Sequence, residues 1–489
     1  MSNSTVSTAV CFIDLATFSE IEGFIYGGPT AQTWFVGAVQ KSNWFSFIPI
    51  LLRNNGTFDF GQHNVSASVN RSGDYVLNIW FTMRVPQLVL VQPYVSGGDP
   101  GIFMDSSIRW TKNMMHNVFH RVNITFNELV VEEFQSEWFD FNYQFRLRGS
   151  KRIGYRNMIG DVSSMTTPVP PGVPLGDGSI RSCPLPFFFS EDSGVALPVA
   201  ALPFNDIKIN FYFRPLNELI AVYPGTAAVG SPMGPNNGRV ATVNDVYMYG
   251  STNQRPSMQN PSVFAHYAVV HNDERVKMGD APRDILMTQT QATNFAPFKD
   301  VSSKTHFDVR LSHSIIMITF AAKNVSLHHL YGGTFGAEQS NYTTEPSYAG
   351  LDPILYSQLI YENTVRVSMP SDYYSLVAPY YFSDAIPEEA GYHMYTYALH
   401  PWLSLKPSGS TNYSKLANVS IEHDMSPAAQ AAAGVNGSGY PQDQNGNPIV
   451  YPDTAGILSP FPQQWRHILI AYNWNIVRVA NGSLGHPTL

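Results

Sequence analysis

Residues 206–213, Asp-Ile-Lys-Ile-Asn-Phe-Tyr-Phe, alternate without a break. Ile207, Ile209, Phe211 and Phe213 fall on one side, with Asp206, Lys208, Asn210 and Tyr212 on the other. Successive side chains of an extended chain leave opposite faces, so this period of two marks a half-buried strand. A second apolar run, Leu185 to Phe189, precedes it. Between the two lies a crossing that carries Pro198 and Pro203, which cannot donate ladder hydrogen bonds and so belong between strands or at their ends. Two strands joined by so long a crossing point to a Greek-key sandwich rather than a tight hairpin.

The composition agrees with that class. The 35 prolines and 36 glycines are spread along the whole chain, as many short strands and turns require, and aromatics at 13% favour strands. A length of 489 residues exceeds what one core supports, so two domains are expected. Charged residues make up only 13%, against about 25% in an ordinary soluble domain, so much of the surface is expected to meet other protein. The net charge of −8 and the lack of a Lys/Arg cluster argue against direct nucleic-acid binding. With only Cys11 and Cys183 there is no disulfide framework; a single bridge is one alternative, two free thiols in a reducing compartment the favoured one. The first twenty residues have neither a positive region nor a long apolar run, and no apolar stretch approaches the roughly 20 residues that span a bilayer. The expectation is an intracellular, soluble protein.

Read in order, residues 1–25 form an arm in which Phe12 to Thr17 is either a docking segment or a first strand. Tyr26-Gly27-Gly28 is a turn, followed by apolar runs at Trp34 to Val36 and Trp44 to Leu52. Ser72-Gly73-Asp74 is turn chemistry that launches a strand from Tyr75 to Val85. Arg109-Trp110 and a strand from Phe119 to Phe126 follow, and residues 166–177 read as an exposed loop. A first sandwich is thus expected over 26–215, a linker over 216–240 with a short helical start at Pro215 to Val222, and a second sandwich over 241–489. In that second part, strands are expected at Val263–Val270, Phe307–Ala322, Gln358–Met369, Tyr373–Phe382, Tyr392–Leu399, Leu416–Ile421 and His467–Val479. A low-complexity stretch from Met425 to Gln464 reads as a surface loop. An echo supports duplication: Asn127 lies eleven residues after His116, and Asn324 eleven after His313, with an apolar strand filling each interval.

Candidate chemistry is sparse. His116 and His120 have a metal spacing only on a helix, and the segment alternates like a strand after Val118. His328-His329 reads as a turn. The carboxylate pairs Glu132-Glu133, Glu191-Asp192 and Glu388-Glu389 are adjacent in sequence, which does not place two carboxylates across a cleft. The stretch from Gly225 to Gly234 lacks the Lys-Ser/Thr of a phosphate loop, and no nucleophile-elbow, zincin or thiol-pair motif is present. Asn-x-Ser/Thr triplets at Asn55, Asn64, Asn70, Asn123, Asn341, Asn412, Asn418 and Asn436 read as turn chemistry. No catalytic, cofactor-binding or metal-binding residue is assigned.

An ordered set of short segments carries a resemblance. In the first half it comprises Phe12-Ile13-Asp14, Tyr26-Gly27-Gly28, Ser72-Gly73-Asp74-Tyr75, Arg109-Trp110, Met115-His116-Asn117, Asn157 to Gly160, Pro184 to Ser190 and Ser193 to Pro198. In the second half it comprises Asp273-Glu274-Arg275, Tyr361 to Thr364, Tyr374 to Val377, Gly409 to Tyr413 and Gly482 to Gly485. With these the chain resembles, over nearly its whole length, the major capsid proteins of nucleocytoplasmic large DNA viruses, those of iridescent viruses above all. The match fades at about 224–262 and 425–463. The resemblance implies an all-β fold of two tandem eight-stranded antiparallel jelly rolls, with long loops and few short helices. It also implies a homotrimeric, pseudo-hexagonal capsomer in an icosahedral shell, assembled in the host cytoplasm. The implied partners are other copies of the chain, neighbouring capsomers, and minor capsid and penton proteins, with an internal membrane touched only indirectly. A second reading is a glycan-binding attachment protein using Trp402 or Tyr440; a jelly-roll enzyme is the least supported.

Overall fold

The computed structural model describes residues 9–33, 35–37, 41–91, 106–223, 241–251, 254–280, 282–293, 295–327, 333–345, 348, 350–434, 450–452, 458–460 and 462–485. The chain divides into two units, Met1–Trp44 and Phe45–Leu489. The arm therefore extends past residue 25, and the first sandwich begins later than residue 26. Within the arm, Phe12 to Ala16 lies in helix α1 (Ala9–Ala16), not in a strand, and α2 (Glu20–Ile25) follows. The Glu22 carboxylate accepts from the Ser19 amide at 3.1 Å and satisfies a donor that the first turn of α2 leaves free.

The larger unit holds two sandwiches of the same design. The first uses β1 (Phe45–Leu51), β2 (Val65–Ser68), β3 (Tyr75–Arg84), β4 (Phe119–Phe126), β5 (Leu129–Gln135), β6 (Ile180–Leu185), β7 (Ile207–Phe213) and β8 (Gln259–Val270). Its sheets run β1-β8-β3-β6 and β2-β7-β4-β5, with Arg53–Asn55 added beside β2. The second uses β9 (Arg283–Ala292), β10 (Thr305–Asp308), β11 (Ser314–Asn324), β12 (Ile354–Tyr361), β13 (Thr364–Pro370), β14 (His393–Thr396), β15 (Val419–Met425) and β16 (Trp465–Ala480). Its sheets run β9-β16-β11-β14 and β10-β15-β12-β13. The two orders coincide strand for strand, and every pairing is antiparallel, which is the double jelly roll.

The alternation of residues 207–213 holds: Ile207, Ile209, Phe211 and Phe213 are buried in β7. The crossing after β6 carries the chain from one sheet to the other, as a Greek key demands. Several expectations are corrected. The run Leu185–Phe189 leaves the strand at Leu185 and turns through a 3-10 segment, Phe188–Ser190. Pro215 to Val222 is not a helical linker: a single 3-10 turn, Leu216–Glu218, leads into the strand Ile220–Tyr223, which pairs with Ser107–Trp110. The segment after residue 241 still belongs to the first sandwich. Val246–Met248 pairs with Leu88–Leu90, and β8 lies between β1 and β3. A Gly/Pro/Asn-rich excursion before the last strand of a jelly roll has the composition of an interdomain linker, and composition cannot tell the two apart.

Tyr373–Phe382 is helical rather than a strand: Tyr374, Ala378 and Pro379 are buried at helical spacing while Leu376, Val377, Tyr380 and Tyr381 face outward. Phe307–Ala322 is broken into β10 and β11 around residues 309–313. Phe35 and Val36 are in no strand, and Trp34 lies outside the described residues. The echo is a coincidence of spacing. Asn127 follows β4, whose counterpart in the second jelly roll is β12, whereas His313 and Asn324 bracket β11, whose counterpart in the first jelly roll is β3. The duplication is nevertheless present in the topology.

The two jelly rolls pack through an element the strand pattern did not disclose. Directly after β5 the chain forms helices α3 (Ser136–Arg146) and α4 (Gly149–Ile159). Trp138 of α3 stacks on Tyr472 of β16, with ring centroids 5.4 Å apart, and Phe141 meets Tyr342 and Tyr392 at 6.0 and 5.7 Å. Beside it, Thr290 Oγ1 of β9 donates to the Glu133 carbonyl at 2.7 Å, and Gln289 Nε2 donates to that of Val131 at 3.1 Å. Lys323 Nζ donates to Glu137 Oε1 at 2.6 Å, and Arg214 stands 3.6 Å from the same oxygen. Burial alone would raise the Glu137 carboxyl, but these two cations outweigh it and hold it at about 2. Asp140 gathers a second network: Asn113 Nδ2 and His116 Nδ1 lie 2.9 and 2.8 Å from its Oδ1, and Ser340 Oγ and Tyr342 O–H donate to its Oδ2 at 2.6 and 3.1 Å. Gly336 (φ +83°) lies against Ile220; a Cβ there would sit 1.8 Å from the Ile220 carbonyl oxygen, so no other residue fits this approach.

Inside the second jelly roll, His393, His423 and His467 form a row with Phe298, Phe307 and Phe320. His467 stacks on Phe307 at 4.2 Å and lies 5.0 Å from His423; Phe320 lies 5.0 Å from His393 and 5.2 Å from His423. His393 Nε2 is 2.8 Å from Asp352 Oδ2, whereas His423 Nε2 and His467 Nε2 have no hydrogen-bond partner. Burial holds His423 well below the ordinary imidazole value and His467 at about 3.

Two outcomes are expected. Because His423 and His467 are neutral in the fold and titrate near their ordinary value when unfolded, their contribution is complete above that value. It is lost as pH falls, by about 2 kcal/mol for His467 at about pH 5, with His423 acting in the same direction. The urea midpoint should therefore drop between about pH 7 and about pH 5, and His467→Phe should flatten the slope. Lys323→Met, which strips Glu137 of its nearer cation, should destabilise by about 3 kcal/mol in thermal unfolding, and adding Glu137→Gln should recover most of that loss.

Candidate assembly interface

Two regions of the larger unit gather several exposed apolar side chains each. One is β1, an edge strand, where Phe45, Phe47, Ile48 and Leu51 are all more than half exposed. It borders the outward face of its own sheet, on which Trp80 stacks with Phe264 at 5.6 Å and packs on His266 at 4.7 Å. Phe47 completes the ladder, edge-on to His266 at 6.0 Å. A groove of about 960 Å³ opens between this face and helices α3 and α4, lined by Pro49, Trp80, Tyr143 and His266 among others. The other region is the second jelly roll's edge strand β13 with the helical segment 371–382, where Leu376, Val377, Tyr380 and Tyr381 are exposed, the last two at 68 and 70%. A long apolar edge is a template for pairing with another chain, and native proteins leave one uncovered where a partner covers it.

A third surface differs in kind. The outward face of β2-β7-β4-β5 carries a polar ladder in which Asn210 Nδ2 donates to Asn123 Oδ1 at 2.8 Å and Asn55 Nδ2 donates to Ser68 Oγ at 2.7 Å. Arg121 lies over the Tyr212 ring at 4.0 Å beside it. These groups satisfy one another, so the face is hydrated rather than sticky.

The residues singled out from sequence are placed as follows. His116 lies in a short helix, Met114–Asn117, fully buried, with Nε2 2.8 Å from the Tyr155 hydroxyl; His120 is on β4, and its imidazole is lowered by burial and then by Arg214. Glu132 and Glu133 leave opposite sides of β5. Glu132 is buried, raised by that burial, and accepts from the Phe188 amide at 2.9 Å, while Glu133 faces Arg121. Glu191 pairs with Arg146, and Asp192 caps the Gly194 amide at 2.8 Å. Glu388 pairs with Arg152 at 2.7 Å and Glu389 with Lys112. Each carboxylate pair is thus split between separate partners. Among the described residues no three His, Cys, Asp or Glu side chains group as a metal site. Cys183 is a buried free thiol whose ionisation burial suppresses. Trp402, offered above as an exposed glycan platform, is 8% exposed and packs on Trp138 and Tyr472 within the seam. Tyr440, His328-His329 and the stretch from Gly225 to Gly234 lie outside the described residues.

The seam residues of α3 escaped the sequence reading because aromatics at 13% had been read as a strand signal. Trp138, Phe141 and Phe145 do recur at helical spacing, and that signal was available.

Comparison with known proteins gives the same architecture. A family model for the N-terminus of major capsid proteins matches residues 33–268, and one for the large eukaryotic DNA virus major capsid protein matches residues 274–485. The major capsid protein of Tipula iridescent virus is 42% identical over 501 residues, covering 99% of this chain and 97% of that protein. That of Lymphocystis disease virus 1 is 39% identical over 504 residues, covering 100 and 99%. Among solved structures, the PBCV-1 virus capsid aligns with a TM-score of 0.63 at 19% identity over 94% of this chain and 100% of that one. The Faustovirus major capsid protein aligns at 0.60 and 12% identity over 96% of each. With both halves of its double jelly roll matched in order and relatives near 40% identity along its full length, the chain belongs to the family of major capsid proteins of large eukaryotic DNA viruses, on the iridescent-virus side of it.

Proposed function

We propose that the chain acts by self-association: three copies close into a pseudo-hexagonal capsomer, and capsomers tile an icosahedral shell assembled in the host cytoplasm. The observation that carries the reading is the pair of equivalent jelly rolls fixed side by side in one chain, with apolar edges left uncovered at both ends of the pair. A head-to-tail contact closes when its rotation matches a point group, and two like domains per chain turn a three-fold ring into six similar sides. The first jelly roll is assigned residues 45–270 and the second 283–485. Minor capsid and penton proteins are the further partners, and an internal membrane is met only through them. The protein performs no catalysis in this role. The hydrated Asn-rich sheet face suits contacts between capsomers, which must form and rearrange during assembly, better than contacts within one.

Light scattering on purified protein should give three times the chain mass at all practical concentrations, and electron micrographs should show hexagonal outlines with a central three-fold. A monodisperse monomer would overturn the reading.

A further inference from the structure

The contact that joins the two jelly rolls within the chain has a vacant counterpart. In the first jelly roll, edge strand β5 runs straight into helix α3 through Gln135-Ser136-Glu137-Trp138-Phe139. In the second, edge strand β13 runs straight into the helical segment 371–382 through Pro370-Ser371-Asp372-Tyr373-Tyr374. Phe139 and Tyr374 both point into their own sandwiches, against Phe119 at 6.2 Å and Phe320 at 5.4 Å. The positions that face the neighbouring jelly roll part company. Phe141 and Phe145 are fully buried, whereas Leu376 and Tyr380, at the same places in their helix, are 49 and 68% exposed.

The receiving surfaces match as well. Segment α3 docks on β11 and β16 through Lys323 and Tyr472, with β9 against β5 beside it; the equivalents of β9, β11 and β16 in the first jelly roll are β1, β3 and β8. Thr319 pairs with Ile470 just before the inward-facing Phe320, and Trp80 pairs with Phe264 just before the inward-facing Phe81. Two residues beyond Ile470 and Phe264 stand Tyr472, the ring on which Trp138 stacks, and His266, part of the exposed ladder. Lys323 lies three residues beyond Phe320, and Arg84 three beyond Phe81. Lys323 binds Glu137; Arg84 and Asp372, their counterparts, are both exposed and have no ionic partner among the described residues.

From this correspondence we infer that the second jelly roll's segment 371–382 docks on the outward face and edge strand of the first jelly roll of another copy. There Tyr373 faces His266, Leu376 and Tyr380 cover β1 and the ladder beside it, and Asp372 pairs with Arg84. The occupant is a second copy of this chain because the same chain already shows the contact once, internally, with matched charge and aromatic positions. Each copy gives one helix and receives one, so the contact is heterologous, as a closed ring of three copies requires. This deepens the trimer reading above and rests on it.

The test is charge reversal on the full-length chain. Arg84→Glu and Asp372→Arg should each weaken the trimer at least about tenfold, read as a lower urea midpoint for its dissociation in light scattering, since a desolvated interface pair is broken. The double variant, which restores opposite charges, should recover most of that loss. Circular dichroism should show all three folded, both sites being exposed in the isolated chain. If the singles remain as trimeric as the parent, or the double is no better than the worse single, the docking assignment fails while the trimer stands. A parent protein that is monomeric would remove both.

Discussion

The structure depends on the burial of α3 between the two jelly rolls. Each sandwich has its own interior, yet the side chains on the outer face of β11 and β16 join the same buried cluster as the first jelly roll's core. A large aromatic ring buries about 150–250 Å², worth up to about 4–6 kcal/mol at the usual area coefficient. Trp138, Phe141, Tyr342, Tyr392, Trp402 and Tyr472 together make the seam as apolar as a domain interior. Two jelly rolls held this way cannot rotate against each other, and a shell subunit needs that rigidity because the angle between its halves sets the angle at which copies meet.

Polar groups in the seam decide its register more than its strength. Glu137 with Lys323 and Arg214, and Asp140 with Asn113, Ser340 and Tyr342, are buried groups that meet these partners in one arrangement only. Sliding the domains past each other would leave charges desolvated and unpaired, at a cost of several kcal/mol each. The carboxylates that a search for catalysis would notice, Glu132, Glu191 and Glu388, are likewise occupied in holding loops and helices in place.

Much of the architecture was legible from residue patterns. Alternation located β4 and β7, strand-like runs located β3 and most of β16, and the proline-bearing crossing disclosed the Greek key. Three things were not legible. The excursion between β7 and β8 has the composition of a linker, although its far end supplies a central strand. Segments α3 and 371–382 are so rich in aromatics that propensity favours strands, and only tertiary packing, with Phe139 and Tyr374 turned inward, makes them helices. Trp402 sits in a loop sequence that reads as exposed, and the neighbouring jelly roll covers it.

What the sequence by itself determined is the class: short alternating strands, proline-bearing crossings, sparse charge, and an ordered set of segments shared with one family of shell proteins. These are local properties, set by which face of a strand is apolar and by which residues cannot extend a sheet. Only the tertiary structure decided where one jelly roll ends and the next begins, which apolar residues are core and which are left for a partner, and that the internal seam has an unfilled equivalent. Those depend on pairings between residues some two hundred positions apart, Lys323 with Glu137 above all, and no local pattern records which distant surface a side chain will meet.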